Sequence, residues 1–200
     1  LSLIQTVDQI EGIFKAKNIK DKYEVIFIDD GSKDNSFKIL LSLKKKNKFL
    51  KIIKLKRNFG QRVAVDAGFE EADGNAIILL NADLQDPISL VPKMITKWKN
   101  GAELVICTRA GTDENILYKI LAKIANSLIK LSVPNMPIGG FDFLLIDKKI
   151  VDYYNKMDTK YKYFKGEMLT SGALCAFIPY KRKKRPYGRS QYTFLSKLSI

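Results

Sequence analysis

The sequence predicts an α/β fold, with a mostly parallel central sheet and helices on both faces. Three observations carry that prediction. Val25-Ile26-Phe27-Ile28 is an apolar run that stops at Asp29-Asp30-Gly31-Ser32. Ala76-Ile77-Ile78-Leu79-Leu80 is a second, stopping at Asn81-Ala82-Asp83-Leu84-Gln85-Asp86-Pro87. Runs of this kind read as strands buried on both faces. Around them, segments with helical spacing alternate with further strand-like segments, the order expected of a parallel sheet. Acidic groups at strand C-termini sit where open α/β sheets bind ligands.

The elements follow in order. Residues 24–28 read as a strand. Asp34 can cap a helix carrying Phe37, Leu40 and Leu41, with Lys44, Lys45 and Lys46 at its C-terminal end, where cations suit the dipole. Leu50 to Lys56 alternates as a strand. Residues 61–73 form a helix with a small-residue face (Val63, Ala64, Ala67, Gly68, Ala72), and 75–81 the next buried strand. Asp86 followed by Pro87 predicts a helix start, cap then first position. Leu90, Val91, Met94, Ile95 and Trp98 give that helix its apolar stripe, and Asn100-Gly101 ends it. Residues 102–108 are a fourth strand. Leu117, Ile120, Leu121, Ile124, Leu128 and Leu131 form a longer helical stripe. After residue 139 the pattern becomes irregular, and no internal repeat is visible.

Composition narrows the function classes. Two hundred residues with 46% apolar and 28% charged content suit one globular domain. Lys and Arg number 35 against 21 Asp and Glu, a formal net charge of +14. That balance favours an anionic partner: nucleic acid, an anionic membrane surface or a phosphorylated substrate. A lysine-rich proteome would give the same excess. Nucleic acid is set aside, because no nucleic-acid-binding module is recognisable. The chain contains no histidine, which excludes His-based catalysis and His-ligated metals. Cys107 and Cys175 form no ligand-spaced cluster and read as reduced core residues of a cytosolic-side protein. No apolar run approaches the ~18 residues of a membrane span, and no signal peptide is seen.

Five segments together resemble the family 2 glycosyltransferases, inverting enzymes with a nucleotide-sugar donor. They are Ile28-Asp29-Asp30-Gly31-Ser32, Arg57-Asn58-Phe59-Gly60-Gln61, Asn81-Ala82-Asp83-Leu84-Gln85-Asp86-Pro87, Gly139-Gly140-Phe141-Asp142-Phe143 and Arg185-Pro186-Tyr187-Gly188-Arg189-Ser190. Their order is similar to that of the polyprenyl-phosphate branch, the dolichyl-phosphate mannose synthase-like enzymes, from about residue 20 onward. The resemblance implies the GT-A nucleotide-sugar-binding fold over residues 1–200. A donor and metal half covers about 1–110 and an acceptor-side half about 111–200. The family's first strand, with its Pro-x-Tyr-Asn loop, has no counterpart here. Relatives in this branch often continue into membrane helices. A fragment is therefore expected, and the junction near Gly111-Thr112 lacks basic residues usual in the family.

The resemblance also implies roles. Asp83 becomes the principal ligand of Mg²⁺ or Mn²⁺, hard cations that take carboxylate and amide oxygens and offset charge on a departing diphosphate. Gln85, two residues on, adds an oxygen if the segment is extended. The family pattern is Asp-x-Asp-x-Gln, and Asn81 replaces its first Asp, keeping an oxygen and losing the charge. Asn81 and Ala82 then line the donor site. Asp29 and Asp30 accept hydrogen bonds from the nucleobase or ribose, unless they merely form a solvated Asx turn. Asn58 and Gly60 lie in the neighbouring donor-side loop. Arg185, Arg189 and Ser190 lie over the diphosphate, the arginines offering bidentate contacts. The other basic residues of 181–185 rest on a membrane or are a solvated face. Tyr192, Phe194, Leu195 and Leu198 fit an amphipathic helix or a core-packed one.

Asp142 sits near the acceptor. With a sugar hydroxyl acceptor it would act as general base. A polyprenyl phosphate is already anionic and needs none, and Asp142 would then orient groups or simply be satisfied by backbone donors. The polyprenyl-phosphate branch reads Asp-Phe-Arg where this chain has Asp142-Phe143-Leu144. The implied partners are a UDP- or GDP-sugar donor, a polyprenyl-phosphate or glycan acceptor and an anionic membrane surface at its cytoplasmic face. A homo-oligomer is compatible with all of this, and an inactive scaffold with the same fold is the alternative that Asn81 prompts.

Overall fold

In the computed structural model, the structure describes residues 2–16, 22–109, 137, 141–158 and 163–183. Helix α1 (Ser2–Ala16) comes first, followed by β1 (Val25–Asp29), α2 (Ser36–Lys46), β2 (Leu50–Lys54), α3 (Gln61–Glu71) and β3 (Ala76–Leu79). A 3₁₀ turn (Ile88–Leu90) leads into α4 (Val91–Lys99), then β4 (Leu104–Arg109). Strand β5 (Leu144–Asp147), helix α5 (Lys148–Lys156), helix α6 (Phe164–Thr170) and β6 (Cys175–Tyr180) complete the described elements. The predicted stripe at 117–131 lies outside the described residues.

Strands β1 and β2 pair in parallel, Val25 opposite Leu50 and Asp29 opposite Lys54. The other four strands run β3-β5-β4-β6. Within them β4 and β6 are parallel, while β5 is antiparallel to both β3 and β4. The sheet is therefore mixed, with β5 reversing the direction that the strand–helix alternation set up. Lys51 bridges Glu24 and Asp73 at 2.9 and 2.7 Å, and the Asp73 amide donates to Glu24 at 2.8 Å. The N-terminal ends of β1 and β3 are thus tied together. Between these two strands lies a cavity of about 820 Å³, lined by Val25–Ile28, by 75–82 and by apolar residues of α1, α3 and α4.

The core follows from side-chain parity. Leu104, Ile106, Leu144 and Ile146 face α3, α5 and α6 with Phe69, Tyr154 and Phe164. Val105, Cys107, Phe143 and Leu145 face α4 with Ile88, Met94, Ile178 and Tyr180. Strands β4 and β5 are buried on both faces, which is why their sequences carry no polar alternation. Val7, Phe27, Leu40 and Leu50 join α1 and α2 to the β1–β2 pair.

Three expectations are corrected. Asp86 does not cap a helix: Pro87 precedes a 3₁₀ turn with no side-chain cap, and α4 starts only at Val91. Its carboxylate is buried and turned toward β6 instead. Cys107 is core, and burial first, with Asp86 nearby, pushes its thiol up to about 12. Cys175 is exposed, because alternate residues of β6, Cys175, Phe177 and Pro179, face outward while Ile178 and Tyr180 point in. Residues 2–16, given no element from sequence, form α1. Leu3, Val7, Ile10 and Phe14 turn one stripe of it onto the core.

Candidate active site

The ends of β1 and β2 meet in a welded pair of loops. Asp30 accepts from the Phe59 and Gly60 amides at 2.8 and 2.9 Å, one bond to each carboxylate oxygen. Asn58 Oδ1 accepts a second contact from the Gly60 amide at 3.1 Å. Gly31 has φ 69°, and a Cβ on it would lie 2.5 Å from the Arg57 carbonyl carbon. Only glycine combines that backbone with that approach. Gly60, φ 89°, opens α3. The Arg57 guanidinium lies 4.8 Å from the Phe59 ring centre, and that ring is exposed. Asp29 is only 3% exposed. Its Oδ1 accepts from the Ser32 amide at 3.0 Å, while Oδ2 is buried without a hydrogen-bond partner. A buried carboxylate oxygen without a donor is costly, so this atom is the natural acceptor for a ligand N–H or O–H. Of the adjacent acids, Asp30 builds the loop and Asp29 offers an oxygen.

The loop after β3 is not extended. Leu84 has φ 60°, a left-handed backbone rarely adopted by a branched apolar residue. The turn lets the Gln85 amide donate to Asp83 Oδ1 at 3.1 Å. It also sends the Gln85 side chain to the Lys183 carbonyl at 3.2 Å, away from the side expected of an extended segment. The Lys183 amide returns a bond to the Gln85 carbonyl at 2.9 Å. Arg182 thereby lies over the acids, with Nη2 3.8 Å from Asp83 Oδ2 and Nε 3.5 Å from Asp86 Oδ1. Asp86 also accepts from the Tyr180 hydroxyl. Burial first, then that hydrogen bond, raises the Tyr180 pKa well above its ordinary value, so it stays a proton donor.

Among the described residues no three His, Cys, Asp or Glu side chains form a metal-holding group. The donor set around Asp83 nevertheless fits a hard divalent cation. Buried Asp86 Oδ2, an oxygen without a hydrogen-bond partner, is a second carboxylate donor on the same loop, whereas the Gln85 side chain is taken up at the Lys183 carbonyl. Mg²⁺ is commonly held by one or two carboxylates with substrate phosphates completing the shell.

Asp142 stands between two cations. Its Oδ1 accepts from Lys165 Nζ at 2.6 Å and its Oδ2 from Arg109 Nη2 at 2.7 Å. Fully buried Phe141 and Phe143 anchor it on either side, and Lys165 lies 5.7 Å from the Phe141 and Phe164 ring centres. Burial alone would raise the Asp142 carboxyl. Lys165 and Arg109, with Arg182 beyond them, outweigh burial and hold it below the ordinary value. Arg109 further contacts the Tyr180 hydroxyl. A polar chain therefore runs Asp142–Arg109–Tyr180–Asp86–Arg182–Asp83. Leu144, where the branch has Arg, is fully buried in β5 opposite Leu79 and Ile106.

Sequence reasoning missed Arg109, Lys165, Tyr180 and Arg182. Arg109 carried the same signal as Asp29 and Asp83, a charged residue closing an apolar strand. Lys165 and Tyr180 had no local signal, since their partners lie 23 and 94 positions away. Gly139, Gly140, Arg185, Arg189 and Ser190 lie outside the described residues.

Comparison with known proteins adds a family to this geometry. A family model described as glycosyl transferase family 2 matches residues 5–184. An uncharacterized glycosyltransferase of Bacillus subtilis (strain 168), YkcC, is 34% identical over 183 residues, 90% of this chain and 57% of that protein. A bactoprenol glucosyl transferase of Shigella phage SfV is 31% identical over 171 residues, 84% of this chain and 56% of that protein. The chain spans just over half the length of these relatives. The crystal structure of glucosyl-3-phosphoglycerate synthase from Mycobacterium tuberculosis superposes with a TM-score of 0.52 at 15% identity, over 82% of this chain and 62% of that one. That likeness establishes the GT-A-like fold.

Proposed function

The chain belongs to glycosyl transferase family 2, and on that premise we propose that it moves a sugar from a UDP- or GDP-sugar to a polyprenyl phosphate at the cytoplasmic face of a membrane. The observation that carries this reading is the pairing of Asp142 with Lys165 and Arg109. A general base needs a carboxylate that gains by taking a proton. Asp142 is held ionised by two cations, which makes it a weak base. The same cations suit a phosphate, whose oxygens accept charge-assisted hydrogen bonds. A phosphate nucleophile brings its own charge, so the weakness of Asp142 as a base costs nothing. The name of the SfV relative, a bactoprenol glucosyl transferase, supports the same acceptor class. The +14 charge supports work beside an anionic surface. Among the described residues no helix is long and apolar enough to cross a membrane.

In the proposed step an acceptor phosphate oxygen bonds to the anomeric carbon as the bond from that carbon to the nucleoside diphosphate breaks, in line and with inversion. Asp29 accepts from the nucleoside, and the welded 57–60 loop shapes the donor pocket. A Mg²⁺ or Mn²⁺ ion on Asp83, with Asn81 or Asp86 in support, would offset charge on the leaving diphosphate. Lys165 and Arg109 hold the acceptor phosphate, and Asp142 fixes both cations in place.

The test is transfer from radiolabelled UDP- and GDP-sugars to polyprenyl phosphate in detergent, beside a water-soluble sugar acceptor. Lipid-linked product is expected. Efficient transfer to the soluble sugar with none to the lipid phosphate would overturn the acceptor, and no transfer to either with active donor binding would favour the scaffold alternative.

A further inference from the structure

The proposed reaction gives no role to Arg182, which meets the acidic loop at Asp83 and Asp86. Its two ion pairs, 3.8 Å to Asp83 and 3.5 Å to Asp86, are longer than N–H···O hydrogen bonds, which lie near 2.7–3.2 Å. Its Nε is buried without a hydrogen-bond partner, and so is Asp86 Oδ2. The guanidinium is close enough to offset charge on Asp83 and Asp86 and too far for a short hydrogen bond to either.

The backbone that carries Arg182 is fastened independently. Tyr180 pairs with Arg109 in the β4–β6 ladder, and Lys183 and Gln85 exchange two bonds. The Arg182 side chain, 28% exposed, can therefore leave the acids without the strand leaving the sheet. A guanidinium fork suits diphosphate oxygens better than two acids at these distances.

We infer that Arg182 is a displaceable counter-charge. It neutralises Asp83 and Asp86 while the donor site is empty, and swings to the donor diphosphate when a divalent cation takes over Asp83. Cation and nucleotide binding are coupled through this one side chain: the cation must compete with Arg182, and the nucleotide removes that competitor by binding it. The inference rests on the reading that Asp83 takes a divalent cation.

The experiment measures Mn²⁺ binding by electron paramagnetic resonance of free Mn²⁺, alone and with UDP or GDP, for wild type, Arg182→Gln and Arg182→Lys. Thermal melts accompany each. Couplings between sites typically span about 5- to 150-fold in affinity. In Arg182→Gln, Mn²⁺ without nucleotide should bind at least about fivefold tighter. The factor by which nucleotide strengthens Mn²⁺ binding should fall by a similar amount. Arg182→Lys should lie between, since it keeps the charge and loses the fork. A lower melting temperature with both binding constants unchanged would make Arg182 a structural tie and overturn the inference. If Arg182→Gln does not fold, wild-type coupling in Arg182→Lys overturns it instead. A wild type that binds neither Mn²⁺ nor nucleotide would overturn the donor-site reading as well, which separates the two failures.

Discussion

Asp30 and Asp142 each use both carboxylate oxygens, but on different kinds of donor. Asp30 is held by the Phe59 and Gly60 amides. Asp142 is held by the Lys165 and Arg109 side chains. Backbone amides cannot be recruited by a ligand without moving the loop, so Asp30 is architecture. Lysine and arginine side chains can turn to a ligand while remaining near the acid, so under the proposed function Asp142 would dock cations that a phosphate can share. The two acids thus meet different donors, backbone amides at Asp30 and side-chain cations at Asp142.

The sharpest break of this comparison comes from a third acid, Asp83, which meets both kinds of donor: the Gln85 amide at 3.1 Å and the Arg182 guanidinium at 3.8 Å. Its proposed task is the divalent cation. Asp83→Ala should lower turnover by about 10³-fold or more, since a cation on the leaving group supplies several kcal/mol. Circular dichroism and melting should change little. Chelator should abolish wild-type activity and Mg²⁺ or Mn²⁺ restore it. Undiminished transfer in chelator would remove the metal from the mechanism.

At the proposed acceptor site, Lys165→Met keeps most of the unbranched side chain and removes its charged end. A hydrogen bond to a charged group is worth about 1.5–3 kcal/mol, so KM for the polyprenyl phosphate should rise about 10- to 100-fold with a smaller change in kcat. A rise in donor KM instead would place Lys165 on the wrong side of the site. Asp142→Asn should cost less than the about 10²- to 10⁴-fold expected for loss of a general base. The acid limb of activity should track the acceptor phosphate, near pH 6 for a phosphate monoester, in wild type and mutant alike. The stability sign also follows. Asp142 has a depressed folded pKa, so its contribution is present above the unfolded value of about 4 and is lost as pH falls through the folded one. The stability gap between wild type and Asp142→Asn, read from urea unfolding, should therefore close below about pH 4.

These two acids also mark how far sequence reading reached. Buried strands and their acidic ends were legible, because a run such as Val25–Ile28 has few alternatives to a two-faced strand. The antiparallel insertion of β5 was not, since parity and hydropathy are blind to strand direction. At the site, the acids were legible as residues and not as states. Nothing local to Asp142 names Lys165, 23 positions on, and nothing in Asp29-Asp30 says which acid faces a loop and which keeps an open oxygen. The turn at Leu84 was hidden for another reason: a positive φ on leucine goes against local propensity and is imposed by the surrounding contacts.

The architectural side is tested by Gly31→Ala. Its φ of 69° and the 2.5 Å approach to Arg57 leave no room for a methyl group. The loops should separate at a cost of about 1–3 kcal/mol, read as a lower denaturation midpoint, and donor affinity should fall with stability. Unchanged stability would mean the weld at Asp30 is not rigid.

The smallest expected effect is at Asn81, and it sharpens the comparison most, because it asks whether a neutral oxygen there belongs with architecture or with exchangeable charge. Asn81 lies just past β3 and lines the cavity between β1 and β3. If it faces the proposed cation, Asn81→Asp adds a second carboxylate to Asp83. It also adds a second negative charge for Arg182 to neutralise in the empty site. The two effects oppose each other. The added ligand acts on the cation directly, whereas Arg182 is already shared between Asp83 and Asp86 at 3.5 Å or more. The net result should be a modest fall, about two- to tenfold or roughly 0.4–1.4 kcal/mol, in the Mg²⁺ concentration needed for half-maximal rate. Maximal rate should change little. The measurement is a Mg²⁺ titration at saturating donor, with Asn81→Ala beside it. An unchanged half-saturation in both variants would put Asn81 outside the cation's reach, among the residues that only line the groove.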